Sequence, residues 1–195
     1  KHVTSRRKKD TGTAKFFLGE HTRVLSEDGV EIEPGSNKTG KLALGYPLPV
    51  GYYKDSEKTE LTFPTINGRR WSIPGDWASV EKDGSITLLG RGSECINTGG
   101  EKVFPEEVEE ALKINPLVID CNVVGLPDER WGQAVTAVVE VKKGETLEEA
   151  ELLNDVKEHL AGFKVPKSVV FVEKLKRGPN GKSDYRWARE TAQSL

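Results

Sequence analysis

Gly90-Arg91-Gly92-Ser93-Glu94-Cys95-Ile96-Asn97-Thr98-Gly99-Gly100-Glu101-Lys102-Val103-Phe104-Pro105-Glu106-Glu107-Val108 is where the texture of this sequence changes. Upstream, from Lys15 to about Leu89, short apolar runs are punctuated by Gly, Pro, Asn and Asp without a helical stripe, the pattern of β structure. Downstream, helical stripes alternate with valine-rich strands. Inside the run, Pro105 stands where a first helical residue belongs, and Glu106 and Glu107 follow where they favour the helix dipole. Val108, Ala111 and Leu112 then form an i, i+3, i+4 stripe. The glycines of the run admit two readings: a plain interdomain linker with a hairpin, or backbone bared for close approach to a ligand.

Working outward, the upstream part holds two hairpins. Val24-Leu25 turns through Glu27-Asp28-Gly29 to Val30 and Ile32, and Trp77–Val80 turns through Asp83-Gly84 to Ile86, Leu88 and Leu89; Asp-Gly supplies the positive φ of a tight hairpin. Lys41–Leu44 reads as a strand, and Gly51–Thr59 as a polar turn region. Downstream, Val118–Leu126, Ala134–Val141 and Ser168–Val172 read as strands, Leu153, Val156 and Leu160 stripe a second helix, and a last helix follows the Gly/Pro-rich loop near Lys182. The expectation is a mixed α/β (α+β) chain: a basic flexible segment over 1–14, a β-rich region over 15–91, and a small α/β domain over 92–195 with a three-stranded sheet and packed helices.

Composition narrows the function classes. The 195 residues carry 29 Lys plus Arg against 31 Asp plus Glu, a net charge of −2, which argues against a dedicated nucleic-acid binder. No apolar run approaches the roughly 20 residues of a membrane-spanning helix, and no signal sequence opens the chain, so a cytoplasmic location is the expectation, free or peripheral to a membrane. The two cysteines, Cys95 and Cys121, have no Cys-x-x-Cys spacing and no histidine partners, and read as small core residues. His2, His21 and His159 are scattered, so neither a catalytic triad nor a metal site is expected. The chain contains no methionine at all, and we read it as a piece of a longer polypeptide.

Three places carry more glycine and charge than folding requires. In Pro74-Gly75-Asp76 the carboxylate can cap a turn or accept two hydrogen bonds from a vicinal diol such as a ribose. In Gly90–Val103, Arg91 can clamp a nucleotide or pair with an acid. In Lys176-Arg177-Gly178-Pro179-Asn180-Gly181-Lys182, Lys182 is either a solvated lysine or a mobile point charge suited to phosphate or carboxylate. It is not a phosphate-cradling G-x-x-x-x-G-K-[ST] loop, because Lys176 stands where the first glycine would be needed.

Taken in order, these places resemble one family, the adenylate-forming acyl-CoA synthetases, which also includes peptide-synthetase adenylation domains and firefly luciferase. Gly51-Tyr52-Tyr53 with Thr59 resembles its G-Y-[YF]…T segment, Pro74-Gly75-Asp76 its T-G-D, and Gly90-Arg91 through Gly100-Glu101-Lys102-Val103-Phe104-Pro105-Glu106-Glu107-Val108-Glu109 its hinge signature. Gly125-Leu126-Pro127-Asp128 with Trp131-Gly132-Gln133, Ala161–Lys167 and Gly178–Lys182 are similar to its later segments. The likeness runs from about Gly40 to Arg186, and Gly90–Glu109 looks most like bacterial members that activate fatty acids or sterol side-chain acids.

The resemblance implies the last β-rich subdomain of a large adenylation domain, followed by the complete small carboxyl-terminal domain. It implies ATP and coenzyme A as cosubstrates, Mg2+ with the ATP, and a fatty or related carboxylic acid as the third substrate. Asp76 and Arg91 would hold the ribose of ATP or AMP, Lys182 would stabilise charge during adenylation, Ser93 would be the hinge, and Gly99, Gly100 and Glu101 would face coenzyme A. The family's phosphate loop and acyl pocket lie upstream and are missing from this chain, so the resemblance implies that it is inactive alone. Asn97 stands where luciferase has its second lysine, and Pro74 where the family has threonine. The alternatives are an adenylation domain feeding a carrier protein and a non-catalytic nucleotide- or pantetheine-binding module.

Overall fold

The structure, a computed structural model, describes residues 3–6 and 15–194. The chain divides into two compact units, Lys1–Ser93 and Glu94–Leu195, each with its own sheet and core.

The first unit is built from β1 (Val3–Arg6), β2 (Lys15–Leu18), β3 (Thr22–Leu25), β4 (Thr39–Leu44), α1 (Ser56–Thr62), β5 (Thr65–Ile66), β6 (Arg69–Arg70), β7 (Asp76–Val80) and β8 (Ser85–Arg91). Six of these strands form one antiparallel sheet in the order β1-β2-β8-β7-β4-β3, while β5 and β6 pair by themselves. Because neighbouring residues of a strand point to opposite faces, Val24 and Leu42 enter one apolar cluster with Ile32, Val80 and Ile86, whereas Leu25 and Ala43 enter another with Trp71. Both Asp-Gly turns close as expected, with Gly29 and Gly84 at φ of 75° and 76°. Of the stretch expected to be a flexible basic segment, residues 3–6 instead form β1 against β2, in register Val3↔Leu18. Val3 and Thr4 are β-formers, and the Lys15–Leu18 strand offers them an edge. Residues 1–2 and 7–14 of that segment lie outside the described residues.

Two elements of this unit escape the periodicity reading. Within the stretch read as turn-like, α1 is a seven-residue helix that buries none of its side chains; its start is set by Asp55, whose carboxylate accepts from Lys58 N at 2.9 Å. The short β5–β6 hairpin turns at Asn67-Gly68, both at positive φ.

The second unit contains β9 (Ile96–Thr98), β10 (Glu101–Val103), α2 (Pro105–Leu112), β11 (Val118–Asp128), β12 (Gly132–Val141), α3 (Glu149–Lys157), β13 (Ser168–Val172) and α4 (Tyr185–Gln193). Its sheet has five strands rather than the expected three: β10-β9-β12-β11, with β13 added parallel to β12. The additional pair, β9 and β10, is three residues long in each strand, too short for a period-2 pattern. One face of the sheet packs on α2 and α3 through Val108, Leu112, Leu152 and Val156, and the other on α4 through Val124, Val138, Ala188 and Ala192. On α3 the buried pair is Leu152 and Val156 at i, i+4; Leu153 is only half-buried, and Leu160 lies past the end of the helix. Cys121 is fully buried in the core, whereas Cys95 is half-buried and outside it.

β11 is the last strand of this sheet, and carboxylates cover part of its outer edge. Glu109 on α2 accepts from Val123 N at 2.9 Å, and Asp120 accepts from Cys121 N at 2.9 Å. Burial, helped by nearby Glu106, pushes the Glu109 carboxyl up to about 7, against the pull of the Val123 N–H, Lys113 and the Tyr185 hydroxyl. An acid whose folded pKa is raised adds stability in full below its unfolded value and loses it as pH rises through the folded one. Unfolding free energy is therefore expected to fall by about 2 kcal/mol between pH 5 and pH 7 from this group. Glu109→Gln, which keeps an acceptor for Val123 N but cannot ionise, removes that slope in urea titrations at the two pH values.

Candidate functional site

In the first unit, β7 and β8 bring Asp76 and Arg91 together. The two are paired Cα partners at the end of the hairpin, and Arg91 Nε lies 3.5 Å from Asp76 Oδ1. Gly75, at φ 100°, turns the chain into β7, and its carbonyl accepts from Gly92 N at 3.0 Å. A bulge at Trp77/Ala78 adds twist at this point. The Asp76 side chain remains 37% exposed, which leaves it open to a ligand. Ser93 is exposed, sits in the 3-10 turn Gly92–Glu94, and is the last residue of the first unit.

In the second unit, Gly99 and Gly100 form the two-residue turn between β9 and β10, at φ of 59° and 86°. Gly99 N donates to the Trp131 carbonyl at 2.8 Å, and a Cβ on Gly99 would sit 3.0 Å from the Trp131 ring. Nothing lies within 4 Å of a Cβ placed on Gly100, and Glu101 is exposed. The glycine turn is held by the β11–β12 turn beside it. Asp128 accepts from Arg130 N and Trp131 N at 2.9 and 2.8 Å, and Gln133 Oε1 accepts from Asn97 N at 2.7 Å. Trp131 is 37% exposed, with the Arg130 guanidinium 4.6 Å and Lys167 Nζ 5.6 Å from its ring. This aromatic group, with two cations near its ring and a bare glycine turn beside it, has no role in the sequence reading. It can stack on a flat ring and attract phosphate.

Lys182 lies at the far side of the same unit. Its loop closes through Gly178 N to the Lys182 carbonyl at 2.8 Å and Gly181 N to the Gly178 carbonyl at 2.9 Å, with Gly181 at φ 76°. The side chain is exposed, and it makes no salt bridge among the described residues. Arg177 fastens this loop to Asp120 on β11, whereas the glycine turn meets the sheet where Thr98 pairs Gly132 and Gly132 pairs Asp128. From Asp120 to Asp128 the strand advances roughly 25 Å. Lys182 and the Gly99-Gly100 turn are thus presented at opposite ends of one rigid sheet, not at one point.

The described residues thus offer, in the first unit, a part-exposed carboxylate beside Arg91 and, in the second, an exposed lysine on a loop and a glycine turn beside a tryptophan near two cations. Residues 107–182 match the AMP-binding enzyme C-terminal domain family, and the chain is similar to acyl-CoA ligases. It is 55% identical over 173 residues to 3-oxocholest-4-en-26-oate–CoA ligase of Rhodococcus rhodochrous, covering 89% of this chain and 31% of that protein. It is 53% identical over 183 residues to the medium/long-chain-fatty-acid–CoA/3-oxocholest-4-en-26-oate–CoA ligase of Mycobacterium tuberculosis (strain ATCC 25618 / H37Rv), covering 94% of this chain and 33% of that one. Among solved structures it resembles ATP-bound MatB from Rhodopseudomonas palustris, with a TM-score of 0.76 and 34% identity over 88% of this chain and 34% of that chain. The chain spans about a third of the length of these relatives. No helix among the described residues is long and apolar enough to cross a membrane.

Proposed function

We propose that this chain is the carboxyl-terminal part of an ATP-dependent acid–thiol ligase that converts a fatty or sterol side-chain acid to its coenzyme A thioester. In the first half-reaction a carboxylate oxygen attacks the α-phosphorus of ATP, the bond to pyrophosphate breaks, and acyl-adenylate forms. In the second, the thiol sulfur of coenzyme A attacks the acyl carbon, the bond to AMP breaks, and the thiol proton passes to the medium. Asp76 and Arg91 bind the ribose, and Lys182 neutralises charge that builds on the carboxylate and phosphate oxygens. The observation that carries this reading is the separation, within the second unit, of Lys182 from the Gly99-Gly100 turn. Two chemically distinct ends on one body suit two steps served in turn, with Ser93 as the hinge about which that body rotates.

Gly99, Gly100 and Glu101 line the approach of the pantetheine arm, while Arg130, Trp131 and Lys167 receive the anionic nucleotide end. Two cations beside the tryptophan suit the phosphates of coenzyme A. Magnesium would arrive with the ATP phosphates. No group of three or more His, Cys, Asp or Glu side chains among the described residues is placed to hold a metal, so no metal step is assigned to this chain. ATP and coenzyme A as substrates support a cytoplasmic location, and the identity of the acid rests on the relatives alone.

The test is ATP-dependent thioester formation by the full-length polypeptide that carries this chain, across fatty and sterol side-chain acids. The 195-residue chain alone, which lacks the upstream phosphate loop and acyl pocket of the family, is expected not to turn over. No thioester with any acid, or turnover by the isolated chain, overturns the proposal. In the same assay Asp76→Ala is expected to raise the KM for ATP about tenfold to hundredfold, the size of a lost hydrogen bond to a charged group.

A further inference from the structure

The loop that carries Lys182 is closed on itself, with Gly178 N donating to the Lys182 carbonyl at 2.8 Å and Lys182 N donating to Asn180 Oδ1 at 3.2 Å. Residues 176–184 include Gly178, Pro179 and Gly181 and belong to no helix or strand, yet a lysine that meets a developing charge must start from a defined backbone position. One side chain fastens this closed loop to the sheet. Arg177 Nε donates to Asp120 Oδ2 at 2.9 Å, a second guanidinium nitrogen donates to the same oxygen, and the third, Nη1, donates to Ser183 Oγ at 3.0 Å. Arg177 and Ser183 also face each other across a backbone bridge that brackets the loop. Asp120 is itself fixed, because its other oxygen accepts from Cys121 N within β11. The guanidinium therefore ties both stems of the loop to a strand of the sheet, with Ser183 next in sequence to Lys182.

We propose that Arg177 is a positioning residue that, through Asp120 and Ser183, aims Lys182 for the adenylation step. This rests on the role given to Lys182 above. Lysine cannot replace it, because an ammonium lacks the planar fork that reaches two partners at once. Asp120 lies near one end of β11 and the glycine turn beside the other, so the thioester-forming step does not depend on this fastening.

The experiment uses the full-length polypeptide with Arg177→Lys, Arg177→Ala, Lys182→Ala and the Arg177→Ala/Lys182→Ala double variant. Three quantities are read: ATP–pyrophosphate exchange, thioester formation from supplied acyl-adenylate and coenzyme A, and the unfolding midpoint. Both Arg177 variants are expected to lower kcat for exchange about tenfold to hundredfold, with the KM for ATP and the second half-reaction within twofold of the parent. In the Lys182→Ala background, Arg177→Ala is expected to remove nothing further, since there is no longer a lysine to aim. An unchanged exchange rate in Arg177→Ala overturns the proposal, as does an equal loss in both half-reactions or a loss that adds in full to that of Lys182→Ala. If Lys182→Ala itself exchanges at the parent rate, the role of the lysine falls and the proposal falls with it; if only the Arg177 variants are silent, the lysine's role stands.

Discussion

Lys182→Ala is expected to slow ATP–pyrophosphate exchange by about a hundredfold to a thousandfold, the cost of removing one preorganised charge from a developing oxyanion. The side chain is exposed and makes no salt bridge among the described residues, so its removal takes away no ion pair that supports the fold. The same variant, given preformed acyl-adenylate and coenzyme A, is expected to form thioester at the parent rate. The loop that carries its lysine is fastened at Asp120, and from there β11 advances roughly 25 Å to Asp128, the end beside the glycine turn that would serve that step. A parallel loss in both half-reactions would instead mean that both draw on one end of the second unit, contrary to the reading above.

Gly99→Val is expected to have the reciprocal effect. The position has φ of 59°, where a β-branched residue is a true outlier, and any Cβ meets the Trp131 ring at 3.0 Å. Either the hairpin turn or Trp131 must give way. Displacing a positioning group by about 1 Å costs on the order of a hundredfold, so thioester formation from acyl-adenylate is expected to fall by that amount, while exchange stays within twofold. Gly100→Ala separates the two contributions, because it carries the backbone strain of φ 86° with nothing within 4 Å of its Cβ. A Gly99→Val enzyme with normal kinetics in both steps would show that the turn does not face coenzyme A.

What sequence reading can reach follows the range of the interactions. The Asp28-Gly29 and Asp83-Gly84 turns, Pro105 at the start of α2 and the valine runs of β11 and β12 are local signals, and the structure has those elements in place. The helix α1 lacks the apolar stripe that marks a packed helix, since it buries nothing, and only the cap at Asp55 announces it. The site divides in the same way. Asp76 and Arg91 lie on one hairpin whose turn is readable, so their meeting follows once the hairpin is seen. Trp131 and Lys167, by contrast, come together only because β13 adds parallel to β12, with Lys167 N on the Val135 carbonyl at 2.7 Å. Arg177 and Asp120 are 57 residues apart, and no periodicity links a loop to a distant strand end.

The carboxylates on the rim of β11 have a consequence for the company the second unit keeps. An end strand with free N–H groups is a template on which another chain can add a strand, the usual route to sheet-mediated aggregation. Here the N–H groups of Cys121 and Val123 are already taken by Asp120 and Glu109, and an incoming strand would have to displace two acids, one of them buried, to reach them. At these two positions of the eleven-residue β11 an added strand would have to compete with side chains already in place.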